Sequence, residues 1–323
     1  MLLAFYFRWV GPQGEALHIA SSSDGRNFAP FNGGQPTFAP AQRIRDPFVG
    51  WSNADAAWHL LATKGEGFGA GCSFRHWRSR GLLSWDPKDD VVACSTQTGG
   101  ASEFTWAPEF IEDRDGVLAF WSSRLTGAPF RILASRTADW RRWSTPFVMV
   151  DRATQPEGPQ SVIDASIVRE HGEYVLFVAD EPFGARHAIW RAIAPRADGP
   201  WSGWTEVATP GVCEAPAPAR LHGEWLLYYD CTFAPHRRGR PPYGLSASAG
   251  SLGSLRAVPG SCAAVGQRGG VSLPRDASHA SFASVNGSTA LALQRTFAAA
   301  DGGGRGAWRQ ARELSQALSS LSS

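Results

Sequence analysis

A strand followed by a polar turn, often ending in Trp, returns five times along the chain, and its spacing sets the fold. The copies are Ser23-Asp24-Gly25-Arg26-Asn27-Phe28, Ser79–Trp85, Ser135–Trp140, Ala197–Trp201 and, weakest, Ser248–Leu252. The anchors Asp24, Leu82, Asp139, Gly199 and Leu252 stand 58, 57, 60 and 53 residues apart. A second series lies between them: Arg45-Asp46-Pro47-Phe48-Val49, Trp106-Ala107-Pro108-Glu109-Phe110, Ile163-Asp164-Ala165-Ser166-Ile167, Cys213-Glu214-Ala215-Pro216-Ala217 and Ser278-His279-Ala280-Ser281-Phe282. Each opens a mostly apolar strand. Most are followed by a turn and a second strand, as in Asp115–Trp121, His171–Phe177 and His222–Tyr228. Turn residues flanked by β-branched and aromatic residues mark hairpins. A period of ~50–60 residues holding about four short strands is a propeller blade. Five copies predict an all-β, five-bladed β-propeller; the rival two-sheet sandwich leaves the even spacing to accident.

The ends fit a ring. The fifth opening motif, at His279, lacks later partner strands, and the N-terminal strands Leu2–Trp9 and Ala16–Ser21 lack an opening motif. Joining them completes a blade, with Ala16–Ser21 predicted in the same blade as a strand at Ala290–Thr296. Such a ring hides sheet edges that would otherwise invite aggregation. The propeller is expected to occupy residues 1–306 and a helical tail residues 307–323, since Trp308–Leu321 alone reads convincingly as a helix.

Composition excludes several classes. Lys+Arg of 31 against Asp+Glu of 29 gives a net charge of +2, so no strong field favours nucleic acid or an anionic membrane. No apolar run approaches the ~18 residues of a membrane span. The 14 Trp, 35 Gly and 22 Pro suit short strands and tight turns, with most Trp packed between blades. Trp51, Trp58 and Trp77 are candidates for the rim of the ring. The five cysteines form no CxxC pair, so a zinc site by spacing is not expected, and one or two disulfides remain open. The apolar start lacks the basic residues and cleavage site of a signal peptide, which leads to an expected cytoplasmic location. The basic stretch Phe233–Pro242 reads as solvated.

In a propeller the first strand of each blade lines the central channel. Asp46, Glu109, Asp164, Glu214 and His279, which open those strands, are therefore expected near one mouth. Carboxylates crowded round one funnel raise one another's pKa values, and that can separate an acid from a base.

These motifs, in this order, resemble glycoside hydrolase family 43, a family of five-bladed propellers acting mostly on arabinofuranosides and xylosides. The resemblance runs through Arg45-Asp46-Pro47, Trp106-Ala107-Pro108-Glu109, Ile163-Asp164 and Glu214-Ala215-Pro216 and covers nearly the whole chain. It implies Asp46 as general base, Glu214 as general acid and Asp164 as the residue that tunes and orients the acid. Trp106, Glu109 and His279 are then expected at the substrate. Inversion needs two carboxyls ~6.5–9.5 Å apart with water between. Two motifs depart from the family: Glu214-Ala215-Pro216 stands for Glu-Gly-Pro, and His279-Ala280-Ser281 for His-Gly-Ser. In some relatives that His helps to hold a metal ion or water. Here no metal ligand set is expected and no cofactor is required, with room for a structural calcium or water at the channel centre.

Arg-Asp-Pro also occurs in the fructan-hydrolysing propellers of family 32. Those need a nucleophilic Asp one blade earlier, and only Asp24, a turn residue, precedes Asp46 there. The expected function is an inverting hydrolase of arabinofuranosyl or xylosyl linkages in a small carbohydrate. Its rivals are a propeller enzyme tailoring a small metabolite and a non-catalytic carbohydrate-binding propeller.

Overall fold

The computed structural model describes residues 1–9, 14–151, 155–181, 188–207, 212–232, 243–262, 271–274 and 276–300. Its strands form five sheets. Blade 1 holds β4 (Ile44–Ser52), β5 (Ala57–Lys64), β6 (Ser73–Ser79) and β7 (Asp86–Pro87), with β8 (Val91–Val92) also on β6. Blade 2 holds β9 (Phe104–Asp113), β10 (Gly116–Arg124), β11 (Arg131–Thr137) and β12 (Phe147–Val150). Blade 3 holds β13 (Val162–Glu170), β14 (Glu173–Asp180), β15 (Ile189–Ala194) and β16 (Ser202–Glu206). Blade 4 holds β17 (Val212–Leu221), β18 (Glu224–Thr232), β19 (Tyr243–Ser248) and β20 (Arg256–Ala257). Blade 5 joins the chain ends: β21 (Ala277–Ser284) pairs with β1 (Leu2–Arg8), then come β2 (His18–Ser22) and β3 (Ala29–Pro30). Blades 1 to 5 touch in sequence through their first strands, and β21 meets β4, so the five-bladed propeller is closed.

The repeated turn follows the third strand of a blade. Ser22, Ser79, Thr137 and Ser248 each accept a backbone amide two or three residues on with their hydroxyl. Asp24 and Asp139 accept the amides beyond. Short polar side chains compete for backbone donors in this way, and that fixes the turn. Asp24 is thus a turn residue, as its sequence setting suggests.

Five apolar clusters fill the five seams between blades. Leu118, Phe120 and Ile132 meet Leu176 and Val178 between blades 2 and 3. Phe177 and Ile189 meet Trp225 and Leu227 between blades 3 and 4. Trp58 and Trp77 lie in the seam between blades 5 and 1, not at a rim. Trp51 is exposed, but it stands five residues past Asp46 on β4, ~16 Å towards the other mouth.

Closure is right in outline and wrong in one element. Ala16–Ser21 does enter the closing blade, but its partners are β1 and β3, and Ala290–Thr296 is helical, within α1 (Gly287–Ala300). Asn286 Oδ1 accepts the Thr289 amide at the helix start. Ala290, Leu293 and Phe297, at i, i+3 and i+7, then bury one face against the seam of blades 5 and 1. The alternation Leu291, Leu293 imitates a strand, but Leu291 is exposed and Leu293 buried because one helix face alone meets the core. The predicted helix at Trp308–Leu321 and the stretch Phe233–Pro242 lie outside the described residues.

Disulfides join Cys72 to Cys94 and Cys231 to Cys262. No helix among the described residues is long and apolar enough to cross a membrane.

Candidate active site

Each blade carries the same irregularity at the start of its first strand. Asp46-Pro47, Ala107-Pro108, Asp164-Ala165, Ala215-Pro216 and His279-Ala280 each place two residues opposite one on the neighbouring strand. These are β-bulges, which re-aim a side chain and interrupt pairing. The first residue of every bulge is left-handed: φ is 48° at Asp46, 46° at Ala107, 55° at Asp164, 53° at Ala215 and 45° at His279. That conformation costs a non-glycine residue roughly 1–2 kcal/mol. Its appearance at all five positions marks the bulge as a repeated device. The second residue gives no ladder bond, so Pro, which has no N–H, is tolerated at 47, 108 and 216. The Asp-Pro and Ala-Pro pairs visible in the sequence are the bulges themselves.

This common frame corrects the alignment of the motifs. Asp46, Asp164 and His279 share the left-handed position with Ala107 and Ala215. Glu214 stands one residue earlier, in register with Arg45, Trp106, Ile163 and Ser278. Glu109 stands two residues later, with Phe48, Ser166, Ala217 and Ser281. The five sequence candidates therefore occupy three levels of the channel. The sequence could not separate them, because the bulge is what defines the register.

The left-handed level holds three converging charges and two methyl groups. His279 Nδ1 lies 3.6 Å from Asp46 Oδ1 and 4.0 Å from Asp164 Oδ2. Burial alone would lower the His279 pKa, but Asp164, Asp46, Asp230 and Glu109 together raise it to about 9. Burial raises Asp164 to about 6, with Asp46 adding to the rise while His279 and the Ala215 amide oppose it. One level deeper, burial pushes Glu109 up to about 8 against a hydrogen bond from Ser166 Oγ at 2.8 Å. Burial therefore favours the protonated form of Glu109. Glu214 is half-buried, and its blade is separated from that of Asp46 by blade 5.

Latches fix the bulges from the preceding blade. The Ala107 amide donates to Thr63 Oγ1 at 2.8 Å, and the Asp164 amide to Ser122 Oγ at 2.9 Å. The His279 amide donates to Asp230 Oδ2 at 3.0 Å. Thr63, Ser122 and Asp230 occupy one register position, opposite the residue before the bulge. In blade 3 that position is Ala179, which has no side-chain acceptor. Asp164 itself fills the role, its Oδ2 accepting the Ala215 amide at 3.1 Å. The carboxylate of Asp164 is thereby tied to the residue next to Glu214.

Asp230, Ser166 and the hydroxyl latches escape sequence reasoning, although an acid in the run Leu226-Leu227-Tyr228-Tyr229-Asp230-Cys231 is a visible oddity. So does an exposed aromatic pair near Asp46. The Arg45 guanidinium lies 4.3 Å from the Trp9 ring centre and 4.8 Å from that of Phe68. Trp106 donates its Nε1–H to the Phe68 carbonyl at 2.5 Å and stacks on Phe130 at 4.8 Å, leaving its ring half-buried beside the site. Among the described residues, the sulfurs of Cys213, Cys231 and Cys262 lie close together, but Cys231 and Cys262 are joined in a disulfide and offer no thiolate, so the trio is not a metal site.

The Glu109 proton gives a stability prediction. A carboxyl whose pKa is higher folded than unfolded stabilises the fold at low pH and loses that contribution as pH rises from about 4.5 to about 8. Glu109→Gln keeps an acceptor for Ser166 and has no proton to lose. Relative to the parent it should gain on the order of 3 kcal/mol between pH 5 and pH 9. Denaturation midpoints across that range check this; parallel curves would mean that Glu109 is ionised in the folded state.

Comparison with known proteins agrees with this architecture. No curated protein is similar enough to count as a match. The structure is similar to that of a thermostable family-43 glycoside hydrolase, with 17% identity, a TM-score of 0.56, and 67% of this chain and 72% of that one covered. It is also similar to an endo-1,4-beta-xylanase from Bacteroides thetaiotaomicron, with 14% identity, a TM-score of 0.57, and 79% and 89% covered. An endo-arabinase from the same organism shares 19% identity at a TM-score of 0.53, with 69% and 82% covered. At such identities these likenesses speak for the fold alone. Residues 2–243, well over half of the chain, match a family described as a probable glycosyl hydrolase domain and related to glycoside hydrolase family 43. The chain belongs to that family, and it is a glycosidase.

Proposed function

We propose that the protein is an inverting hydrolase of arabinofuranosyl or xylosyl linkages in small glycosides or oligosaccharides. The observation that carries this reading is the meeting of Asp46, Asp164 and His279 at one level of the channel, with Asp164 bonded to the amide beside Glu214. Asp46, held by the His279 imidazolium, takes a proton from the attacking water. Glu214, on the far side of blade 5, gives a proton to the departing oxygen. Asp164 fixes the backbone that carries Glu214 and adds negative charge near it. Glu109, in the protonated form that burial favours, offers a buried proton donor without a further charge. The half-buried ring of Trp106 offers an apolar face for a sugar. General acid–base groups of this kind contribute ~10²–10⁴-fold each.

The donor set does not fit a bound calcium ion. Calcium takes oxygen ligands, whereas the group facing Asp46 and Asp164 is the imidazole nitrogen of His279. The reading therefore includes no metal-dependent step. The two disulfides fit an oxidising compartment better than the cytoplasm expected from the sequence.

The test is a panel of nitrophenyl glycosides, with the first-formed anomer followed by NMR. We expect turnover of an arabinofuranoside or xyloside with inversion, unchanged by a chelator. Retention of configuration would remove Asp46 as a base. Silence on all sugars would favour one of the two rivals, metabolite tailoring if another small molecule turns over, or binding alone if one sugar binds tightly.

A further inference from the structure

Across the sheet from Glu214 stands a second carboxylate that no sequence motif announces. Asp230, on β18, is fully buried and pairs in register with Glu214. It holds the latch position filled by Thr63 in blade 1, Ser122 in blade 2, Ala179 in blade 3 and Phe7 in blade 5. Of these five, Asp230 alone can carry a charge. Its Oδ2 accepts the His279 amide at 3.0 Å and the Ser278 hydroxyl at 2.9 Å.

A hydroxyl is enough to accept a bulge amide, as Thr63 and Ser122 do. A buried carboxylate is expensive unless a positive charge or strong donors compensate it. What Asp230 supplies beyond a serine is negative charge beside His279, the cationic member of the site. His279 faces Asp46 from β4, Glu109 from β9, Asp164 from β13 and Asp230 from β18. Of these, Asp46 and Asp164 form its side-chain ion pairs, and Asp230 grips its backbone.

We propose that Asp230 is a positioning residue of the active site, whose carboxylate pins the His279 bulge and sustains the imidazolium that clamps Asp46 and Asp164. The geometric part stands without the hydrolase reading; the kinetic consequence rests on it. With Asp230 neutral, the imidazolium loses one of its compensating charges, so His279 gives up its proton at lower pH. The Asp46–His279–Asp164 arrangement should then come apart earlier as pH rises.

The test compares Asp230→Ser and Asp230→Asn with the parent protein. Serine copies the latch of blade 2, and asparagine keeps the shape of aspartate. The readout is the NMR titration of the His279 ring, assigned by its loss in His279→Gln, beside the pH profile of kcat/KM. Expected is a downward move of the His279 titration by about one unit or more. The alkaline limb of kcat/KM should follow it. Two folded variants with an unmoved His279 titration would overturn the proposal. Failure of both variants to fold would also overturn it, by making Asp230 a structural residue. A shifted titration in a protein that hydrolyses no glycoside would leave Asp230 in place and remove the hydrolase reading instead.

Discussion

Asp46→Asn is expected to lower turnover by ~10²–10⁴-fold on every glycoside, whatever its leaving group. Asparagine keeps the shape of the side chain but cannot take a proton from water, and every substrate of an inverting enzyme needs that step. Glu214→Ala should lose as much on a natural-type linkage and much less on a nitrophenyl glycoside. A nitrophenolate departs without protonation, so the missing acid matters little to it. Asp164→Asn should act more quietly, because its amide oxygen can still accept the Ala215 N–H. Its effect should fall on the acid limb of the pH profile, where the Asp164 titration near 6 is removed. The check is kcat and KM for each variant on both substrate types, with the fold verified by circular dichroism. Near-normal rates for a folded Asp46→Asn on both substrates would show the base to be another group.

Deletion of residues 1–22 should yield insoluble or unfolded protein, although no proposed catalytic residue is lost. The deletion removes β1 and β2, the two middle strands of blade 5. It strips β21 of its partner and takes away Leu2, Leu3, Phe5, Phe7 and Ile19, all essentially inaccessible to solvent. At ~1.5–3 kcal/mol for each buried side chain, the loss is roughly 10 kcal/mol. That is comparable with the whole stability of an ordinary domain, ~5–15 kcal/mol. The seam also loses the hydrogen bonds between Met1 and Val285. By contrast Ser281, whose hydroxyl accepts the Val49 amide and donates to the Pro47 carbonyl, remains but would be carried by an unsupported strand. Gel filtration and a thermal melt decide the matter. A soluble truncation with a cooperative melt would mean that the ring does not depend on its N-terminal strands.

The repeat was legible because turn chemistry is local. Ser22, Ser79 and Thr137 need only an amide two or three residues away, so the spacing of such turns survives in the sequence whatever lies around it. The opening motifs were legible for a similar reason. A bulge that tolerates Pro at its second position leaves Asp-Pro and Ala-Pro pairs behind. Helix α1 was misread because Leu291 and Leu293 fit either period. The choice fell to the Asn286 cap and to the seam that buries Ala290, Leu293 and Phe297. Trp58 and Trp77 were misplaced at the rim because nothing local says which side of a strand faces a neighbouring blade.

The number of blades, the closure through the chain ends and the set of acidic residues in the opening motifs can be read from the residues in order, without the fold. All three follow from periodicity and from short-range backbone chemistry. Tertiary structure alone decided the level at which each acid stands, because level is set by pairing with a strand that is distant or belongs to another hairpin. It also decided their charge states. Burial favours the protonated form of Glu109, and the carboxylates of Asp46, Asp164 and Asp230, brought from three other blades, favour the protonated form of His279 against burial. An ionisation free energy depends on the distances and dielectric around a group, and for these residues every one of those neighbours arrives only when the ring closes.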